Sequence, residues 1–237
     1  MTIKKTFQNL SLFVTKPNKK SFNSSPQNSC VLVDIENKKM IAMKYFNAII
    51  ILNIPENIQF DSNSQSFPID YDTMKKLINF KKIDKLFFKV YKNDFSSYKA
   101  KYDVKVVVNG NEEFFYDVES YNPIPYQELE SGQCFTDDFG KIGYTFSKEL
   151  EQELKKKSRK HFYQGLYFDK MFNLLSREEL FRVVDSERTY CINRKHIKNI
   201  FKIGKSWEIF KNRSETGNVV FKNNDAFIVT AQMLKES

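Results

Sequence analysis

The sequence predicts an α+β protein of two similar, pseudo-symmetric domains, each an antiparallel sheet with two short helices. Apolar residues of 69–78 recur in 192–201 at a constant offset along the chain. Apolar residues of 107–115 likewise recur in 220–228 at a constant offset. A unit repeated once at such a distance indicates two domains, not an array of short repeats. Short alternating apolar stretches fill much of the chain, and its 23 Phe and 12 Tyr favour pleated sheets.

The first domain, residues 1–120, is predicted to hold two helices and a meander of antiparallel strands. Asp72 is a good N-cap for the second helix, because a carboxylate there accepts a hydrogen bond from a first-turn amide. Asn109-Gly110 between two apolar runs predicts a tight hairpin turn. The predicted helices span residues 6–16 and 73–79, the predicted strands span 30–35, 40–43, 47–54, 85–91, 102–108 and 113–118, and a polar turn spans 61–66.

Residues 121–138 have little periodicity and contain Pro123, Pro125 and Gly132, which predicts an interdomain connector. The second domain then covers residues 139–237. Its predicted helices span 148–160 and 194–202, and its predicted strands span 143–146, 164–169, 171–175, 180–185, 207–211, 218–221 and 226–232.

Composition excludes several classes of protein. The longest apolar run, residues 48–52, is too short to cross a bilayer, and the N-terminus lacks a secretion signal, so we expect a cytoplasmic protein without membrane contact. Cys30, Cys134 and Cys191 have no metal-binding spacing, and the chain has only 2 His. We therefore expect reduced thiols, no metal site and no cofactor, with a Cys-His nucleophile pair as the alternative.

The formal net charge of +9 indicates a polyanionic partner, most simply nucleic acid. Every arginine lies between Arg159 and Arg213, in the second half of the chain. An A·T-rich coding sequence also enriches lysine, asparagine, isoleucine and phenylalanine without any function. A basic face is therefore needed before the charge indicates nucleic acid.

The predicted helix at residues 148–160 carries such a face. Ser147 can cap it, and Leu150, Leu154 and His161 form its inward stripe at 100° per residue. Its acids lie on the flanks. The face opposite the stripe carries Lys148, Gln152, Lys155, Lys156 and Arg159. This pattern suits contact with phosphates, and the alternative is an ordinary solvated helix whose basic last turn complements the helix dipole.

The two shorter helices carry weaker versions of this face. Lys195 and Lys202 lie opposite the apolar stripe of the second-domain helix, and Lys76, diluted by Asp72, does so in the first domain. Cations and amides with few exposed aromatics favour sequence-independent contact with the phosphate backbone over base stacking.

Several segments, in order along the chain, resemble parts of one known family. Residues 30–54 resemble its early strands, 67–88 look like its strand–helix–strand half-domain, 182–188 are similar to a strand and turn, and 219–233 resemble its last hairpin. The family is that of DNA sliding clamps, the processivity rings of replicative polymerases. The strand that clamps have before their first helix is short or missing here, and the loop at 17–28 is longer.

The resemblance implies a ring around duplex DNA. Six clamp domains close a ring, so a subunit of two domains implies a homotrimer, as in phage, archaeal and eukaryotic clamps. The helices line the channel, so the residues implied to face DNA are Lys148, Gln152, Lys155, Lys156, Arg159, Lys195, Lys202 and Lys76.

The resemblance also implies protein partners. A DNA polymerase, with or without a clamp loader, would dock a short peptide in an apolar groove near the connector and the C-terminus. Mapped onto this chain, the groove is Tyr121, Pro123, Ile124, Tyr126, Met233 and Leu234; the alternative is a loosely packed linker and an ordinary terminal strand. Small size and skewed composition are associated with phages, which would put the protein in the host cytoplasm.

Other functions stay open at this stage. One is a monomeric basic single-strand-DNA-binding or replication accessory protein, and another is a structural phage protein without DNA activity. The sequence has no phosphate-binding glycine loop, nucleophile elbow or paired-histidine zinc motif, so we do not expect an enzyme. Carboxylates converging from distant segments would make a nuclease the alternative.

Overall fold

The chain forms two compact units, Met1–Pro125 and Tyr126–Ser237. The computed structural model describes residues 1–17, 29–44, 48–94, 99–121, 140–155, 165–169, 171–176, 190–211 and 218–233. Each unit combines mostly antiparallel strands with two short helices among these residues, which confirms the predicted α+β class. The domain limits 1–120 and 139–237 stay a prediction, because residues 122–138 lie outside the described part.

The described residues of unit 1 form two helices and two sheets. One sheet has the order β5-β1-β2-β3 and the other has the order β4-β6-β7-β8. The helices contact each other, and both also contact strands of the first sheet. The elements are α1 (Ile3–Ser11), β1 (Cys30–Asp34), β2 (Lys39–Lys44), β3 (Ala48–Asn53), β4 (Ile58–Ser62), β5 (Ser66–Asp70), α2 (Tyr71–Asn79), β6 (Leu86–Asp94), β7 (Lys99–Val108) and β8 (Glu112–Tyr121).

Strand β4 was not expected, and it corrects the prediction of a wholly antiparallel meander. It pairs in parallel with β6, with Phe60 opposite Phe88. The predicted polar turn at 61–66 is therefore shorter, because residues 61 and 62 belong to β4 and residue 66 belongs to β5. The ring of Phe60 stacks on Phe88 at 5.9 Å and meets Phe67 edge-on at 6.0 Å. Such aromatic contacts stabilise a strand whose local sequence is mostly polar, and they join residues far apart in the chain.

The first two helices also begin earlier than predicted, because other residues cap them. Thr2 accepts a hydrogen bond from the Lys5 N–H, so α1 begins at Ile3 and ends at Ser11, not at residue 16. Asp70 accepts from the Thr73 N–H at 2.6 Å, so Asp72 lies within the first turn of α2 and is not its cap.

The repeated block has the same structure in both units. Ile69 and Ile192 are fully buried in the strand that precedes a helix, and that helix buries Met74 in unit 1 and Ile197 in unit 2. The second match is only partly equivalent: both segments form antiparallel hairpins, and Val108 and its match Phe221 are both buried. Phe115 is 70% exposed whereas its match Ile228 is fully buried.

The Asn109-Gly110 turn closes the β7–β8 hairpin as predicted. Both residues have positive φ, 54° and 78°, and the Asn111 N–H donates to the Val108 oxygen at 3.2 Å. These values are typical of a type I′ turn, which matches the twist of antiparallel strands. The Asn109 side chain also accepts from the backbone amide of Lys85 at 3.1 Å, which ties the turn to the start of β6.

Unit 2 has two helices and two sheets among its described residues. The larger sheet is antiparallel and has the order β14-β13-β12-β9, and β10 pairs with β11. The predicted strand at 180–185 lies outside the described residues. The elements are β9 (Gly140–Thr145), α3 (Lys148–Lys155), β10 (Gly165–Phe168), β11 (Tyr190–Asn193), α4 (Arg194–Ile203), β12 (Ser206–Lys211), β13 (Asn218–Lys222) and β14 (Ala226–Ala231).

The predicted strand at 171–175 is only partly correct: it begins in a tight turn, and Leu174 then pairs antiparallel with Phe168. The carboxylate of Asp169 accepts from the backbone amides of Met171 and Asn173, at 2.8 and 2.7 Å. This turn holds Phe172 at a positive φ of 67°, and its fully buried ring stacks on Phe168 at 4.4 Å. Burial of the ring offsets the backbone strain, which is why a bulky residue occupies this conformation.

Candidate nucleic-acid interface

Helix α3 separates its apolar and polar residues cleanly. The Ser147 hydroxyl accepts from the Leu150 N–H at 3.2 Å at the start of the helix. Leu150 and Leu154 are buried, at 0% and 3% exposure. The exposed side carries Lys148, Gln152 and Lys155. The other two residues predicted for this face, Lys156 and Arg159, lie outside the described residues, as does His161.

Two of the acids that flank this face are bound by cations from later in the chain. Glu151 accepts from the Lys205 ammonium at 2.8 Å. Glu153 accepts from the Arg194 guanidinium at 2.7 Å, and the same guanidinium also donates to the Glu153 main-chain oxygen. These pairs offset the negative charge beside Lys148 and Lys155, and sequence periodicity alone did not predict them.

Two of the flanking carboxylates, those of Glu149 and Glu151, have pKa values below their usual range. The hydrogen bond from Lys205 is the main cause that lowers the pKa of Glu151. The pKa of Glu149 is lowered by its own backbone N–H and then by the Ser147 hydroxyl. Acidic side chains in the first turn of a helix also interact favourably with the helix dipole, so these groups stabilise the start of α3.

Helix α4 carries lysines and no acidic residue. Ile197 and Ile200 are fully buried, and the ring of His196 lies 3.0 Å from the Thr230 hydroxyl. The exposed cations are Lys195, Lys198 and Lys202. Lys198 was missed because the helical projection put it on the flank of the helix.

In unit 1 the basic residues are fewer and partly engaged. The Lys76 ammonium lies over the Phe114 ring at 5.2 Å, and Asp72 is exposed on the same helix, so α2 is a weak phosphate-binding face. Helix α1, which has no acidic residue, exposes Lys5 and Gln8. We missed Lys5 because the predicted helix began at residue 6, and we did not assign Gln8 to a basic face.

Pairs of helices in each unit are linked by a basic side chain that reaches a main-chain oxygen. In unit 1 the Lys4 ammonium of α1 donates to Phe80, at the end of α2, at 2.6 Å. In unit 2 Arg194, the first residue of α4, donates to Glu153 near the end of α3. Unpaired carbonyls at a helix C-terminus attract cations, so both links also satisfy the helix ends.

The structure brings together little of the predicted peptide groove. Tyr121 is the last residue of β8. Met233 is half-buried, and its N–H donates to the Cys191 oxygen at 2.8 Å, which extends the pairing of β11. The other four groove residues, Pro123, Ile124, Tyr126 and Leu234, lie outside the described residues.

Among the described residues, no group of three or more His, Cys, Asp or Glu side chains is arranged to hold a metal ion. Likewise, no helix in the described ranges has the length and apolar character needed to span a bilayer.

Solved structures with the same arrangement of elements are bacterial clamps. The DNA polymerase sliding clamp of Bacillus subtilis aligns with 99% of this chain at a TM-score of 0.59 and 12% identity. The DNA polymerase III subunit beta of Pseudomonas aeruginosa aligns with 99% at 0.60 and 10% identity. The Helicobacter pylori beta clamp, solved with a DNA ligase peptide, aligns with 98% at 0.60 and 6% identity.

The chain has the sliding-clamp fold. It spans only 63%, 66% and 63% of the length of those three clamps, respectively. No protein-family model matches the sequence, and no curated protein matches it either. The likeness therefore lies in the fold, at sequence identities of 12%, 10% and 6%.

Proposed function

We propose that this protein is a DNA sliding clamp, a ring that encircles duplex DNA and tethers a replicative polymerase. One observation carries the proposal: a chain with the sliding-clamp fold exposes Lys148 and Lys155 on helix α3, while two of the three flanking acids, Glu151 and Glu153, are paired with Lys205 and Arg194. A closed ring resists dissociation topologically, so weak and mobile phosphate contacts suffice and no base readout is needed.

The proposed assembly is a homotrimer. Two clamp domains per subunit require three subunits for a six-domain ring. Light scattering should give a mass three times the chain mass of 28.1 kDa. A monomer that binds short single-stranded oligonucleotides tightly would instead support the single-strand-binding alternative, and no DNA dependence at all would support a structural role.

The proposed DNA contact is tested by retention on circular DNA. The Lys148→Glu/Lys155→Glu variant should fold normally but lose salt-sensitive contact with duplex DNA. Its binding constant should depend less steeply on salt, by a log–log slope change of about 2 per subunit that contacts DNA, since each phosphate contact contributes about 0.9. Lys89→Glu/Lys222→Glu changes the charge equally on exposed strand positions and is the matched control.

The outcome that contradicts the proposal is specific. If the protein stays bound after the circular DNA is cut into a linear molecule, a closed ring around the DNA is not what retains the protein. If the α3 variant keeps the full salt dependence while the strand variant loses it, the α3 assignment is wrong.

We further propose that polymerase or loader peptides dock near residues 121–126 and 233–234, in the cytoplasm. Ile124→Asp/Leu234→Asp should abolish stimulation of a replicative polymerase and leave retention on circular DNA intact. Equal stimulation by this variant and the unmodified chain would contradict the groove assignment.

A further inference from the structure

The face of the second sheet of unit 1 that lies opposite its buried residues exposes two large aromatic side chains. Phe115 on β8 and Tyr91 on β6 are 70% and 61% exposed, more than any other large apolar side chain in the described residues. Both line one surface cleft of about 460 Å³. Soluble proteins rarely expose neighbouring aromatics without a partner for them.

The strand register puts an acidic row across this face. Tyr91 is directly opposite Asp103, and Asp103 is directly opposite Asp117. Like charges in directly opposed positions destabilise a sheet, although Lys101 offsets part of the cost through its 3.7 Å pair with Asp117. A costly arrangement beside two exposed aromatics is the kind of local conflict expected at a functional surface.

The lysines on this face are already engaged. Lys105 binds Glu113 at 2.8 Å, and Lys89 binds Asp61 at 3.5 Å. Asp103 instead accepts from the neutral amide of Asn93 at 3.0 Å, and no described cation lies within ion-pair distance of it. The cleft therefore offers a carboxylate beside an aromatic ring, which suits a lysine or arginine side chain.

We propose that this face, the outward side of β6, β7 and β8, docks a partner-protein segment with a lysine or arginine beside a large apolar residue. The cation lies against Asp103 and the Tyr91 ring, and the apolar residue packs on Phe115. Charge complementarity selects this occupant, because Asp103 and Asp117 lie directly opposite each other beside Tyr91, and a cation at Asp103 would relieve their repulsion. The proposal does not depend on the DNA-tethering function, because it uses no residue of the four helices.

A displayed library of random octapeptides tests the proposal. The full chain is the bait. Peptides that also bind a Tyr91→Ser/Phe115→Ser variant are discarded, because they bind elsewhere on the chain. We expect the enriched peptides to carry lysine or arginine within two residues of an aromatic or large aliphatic side chain. An enriched peptide, synthesised with a fluorescent label, should bind Phe115→Ser and Asp103→Lys at least tenfold more weakly than the unmodified chain.

Controls separate this surface from the rest of the molecule. The milder Asp103→Asn variant should still weaken binding, and unchanged thermal unfolding of each variant shows that the fold persists. Lys148→Glu should leave peptide affinity unchanged, and Phe115→Ser should leave retention on circular DNA unchanged.

Several outcomes would overturn the proposal. They are enrichment of no peptides, enrichment of peptides without a basic residue, or equal affinity for the face variants. A concentration-dependent dimer that Phe115→Ser abolishes would mean that a second copy of the chain covers the face.

Discussion

Arg194 binds Glu153 twice, through the carboxylate at 2.7 Å and through the main-chain oxygen. The two side chains are 16% and 27% exposed, so the pair is largely shielded from water. It joins the start of α4 to the last turn of α3, the two helices that carry the lysines of the proposed DNA face in unit 2. This relationship fixes one helix against the other while it neutralises an acid beside that face.

The first prediction concerns this pair. Arg194→Met should lower the free energy of unfolding by roughly 1.5–3 kcal/mol, because a half-buried carboxylate and a helix-end carbonyl lose charge-assisted hydrogen bonds. Denaturant titration measures the change. Lys205→Met is the matched control, since the Lys205 side chain is 62% exposed and its single bond to Glu151 should contribute less to stability. Equal effects of the two substitutions would mean that the Arg194 link has no special role.

The second prediction concerns the helix caps of the repeated block. Asp70→Ala and Asn193→Ala should each cost about 1 kcal/mol, because each removes a side-chain acceptor from the first turn of its helix. Asp72→Ala should cost less, since Asp72 interacts only with the dipole of α2. Thermal unfolding of the three variants checks the ranking. A larger loss of stability for Asp72→Ala than for Asp70→Ala would mean that Asp72 is the N-cap of α2, as the sequence predicted.

The third prediction concerns Gly143 in β9 and Gly165 in β10. A Cβ on Gly165 would lie 2.6 Å from the Cys191 sulfur, whereas a Cβ on Gly143 would meet nothing within 4 Å. Gly165→Ala should therefore destabilise the protein by roughly 1–3 kcal/mol through overpacking. Gly143→Ala should be neutral or stabilising by about 0.5 kcal/mol. Denaturant titration measures both changes as shifts of the unfolding midpoint, with the slope of unfolding free energy against denaturant concentration unchanged.

A double substitution checks the cause in the third prediction. Adding Cys191→Ala to Gly165→Ala removes the clashing sulfur, so the two losses should not add. Additive losses would contradict the steric explanation.

The fourth prediction concerns the reactivity of Cys30. Burial, and next the Asp70 carboxylate, raise the pKa of its thiol from 9.0 to about 12. At pH 9 the folded protein should therefore be alkylated by iodoacetamide on the order of 500-fold more slowly at Cys30 than the unfolded chain, since only the thiolate reacts. Peptide mass spectrometry after timed quenching measures the rate.

The sign of the linked stability change follows from the same shift. The folded state holds the thiol proton more tightly, so this contribution is complete below pH 9 and is lost as pH rises toward 12. Asp70→Asn keeps an N-cap residue but removes the charge, so it should speed alkylation without unfolding α2. No change in the alkylation rate would show that Asp70 does not act on Cys30.

Local patterns in the sequence determined a good part of this structure. Periodicity identified the buried stripe of α3, with Leu150 and Leu154, because a helix repeats its faces every few residues whatever it packs against. The Asn109-Gly110 turn was equally readable, since positive φ at both positions is a property of those residues. The repeated block indicated two similar units for the same reason, because equivalent positions that are buried in both units require apolar residues.

Only the tertiary structure decided which distant residues meet. Arg194 reaches Glu153 across 41 positions and Lys205 reaches Glu151 across 54, so no local pattern predicts that these cations relieve α3 of its flanking acids. Strand β4 pairs with β6 for the same kind of reason, through Phe60 and Phe88. Periodicity records which side of an element is buried, whereas the partner on that side depends on where the whole chain folds.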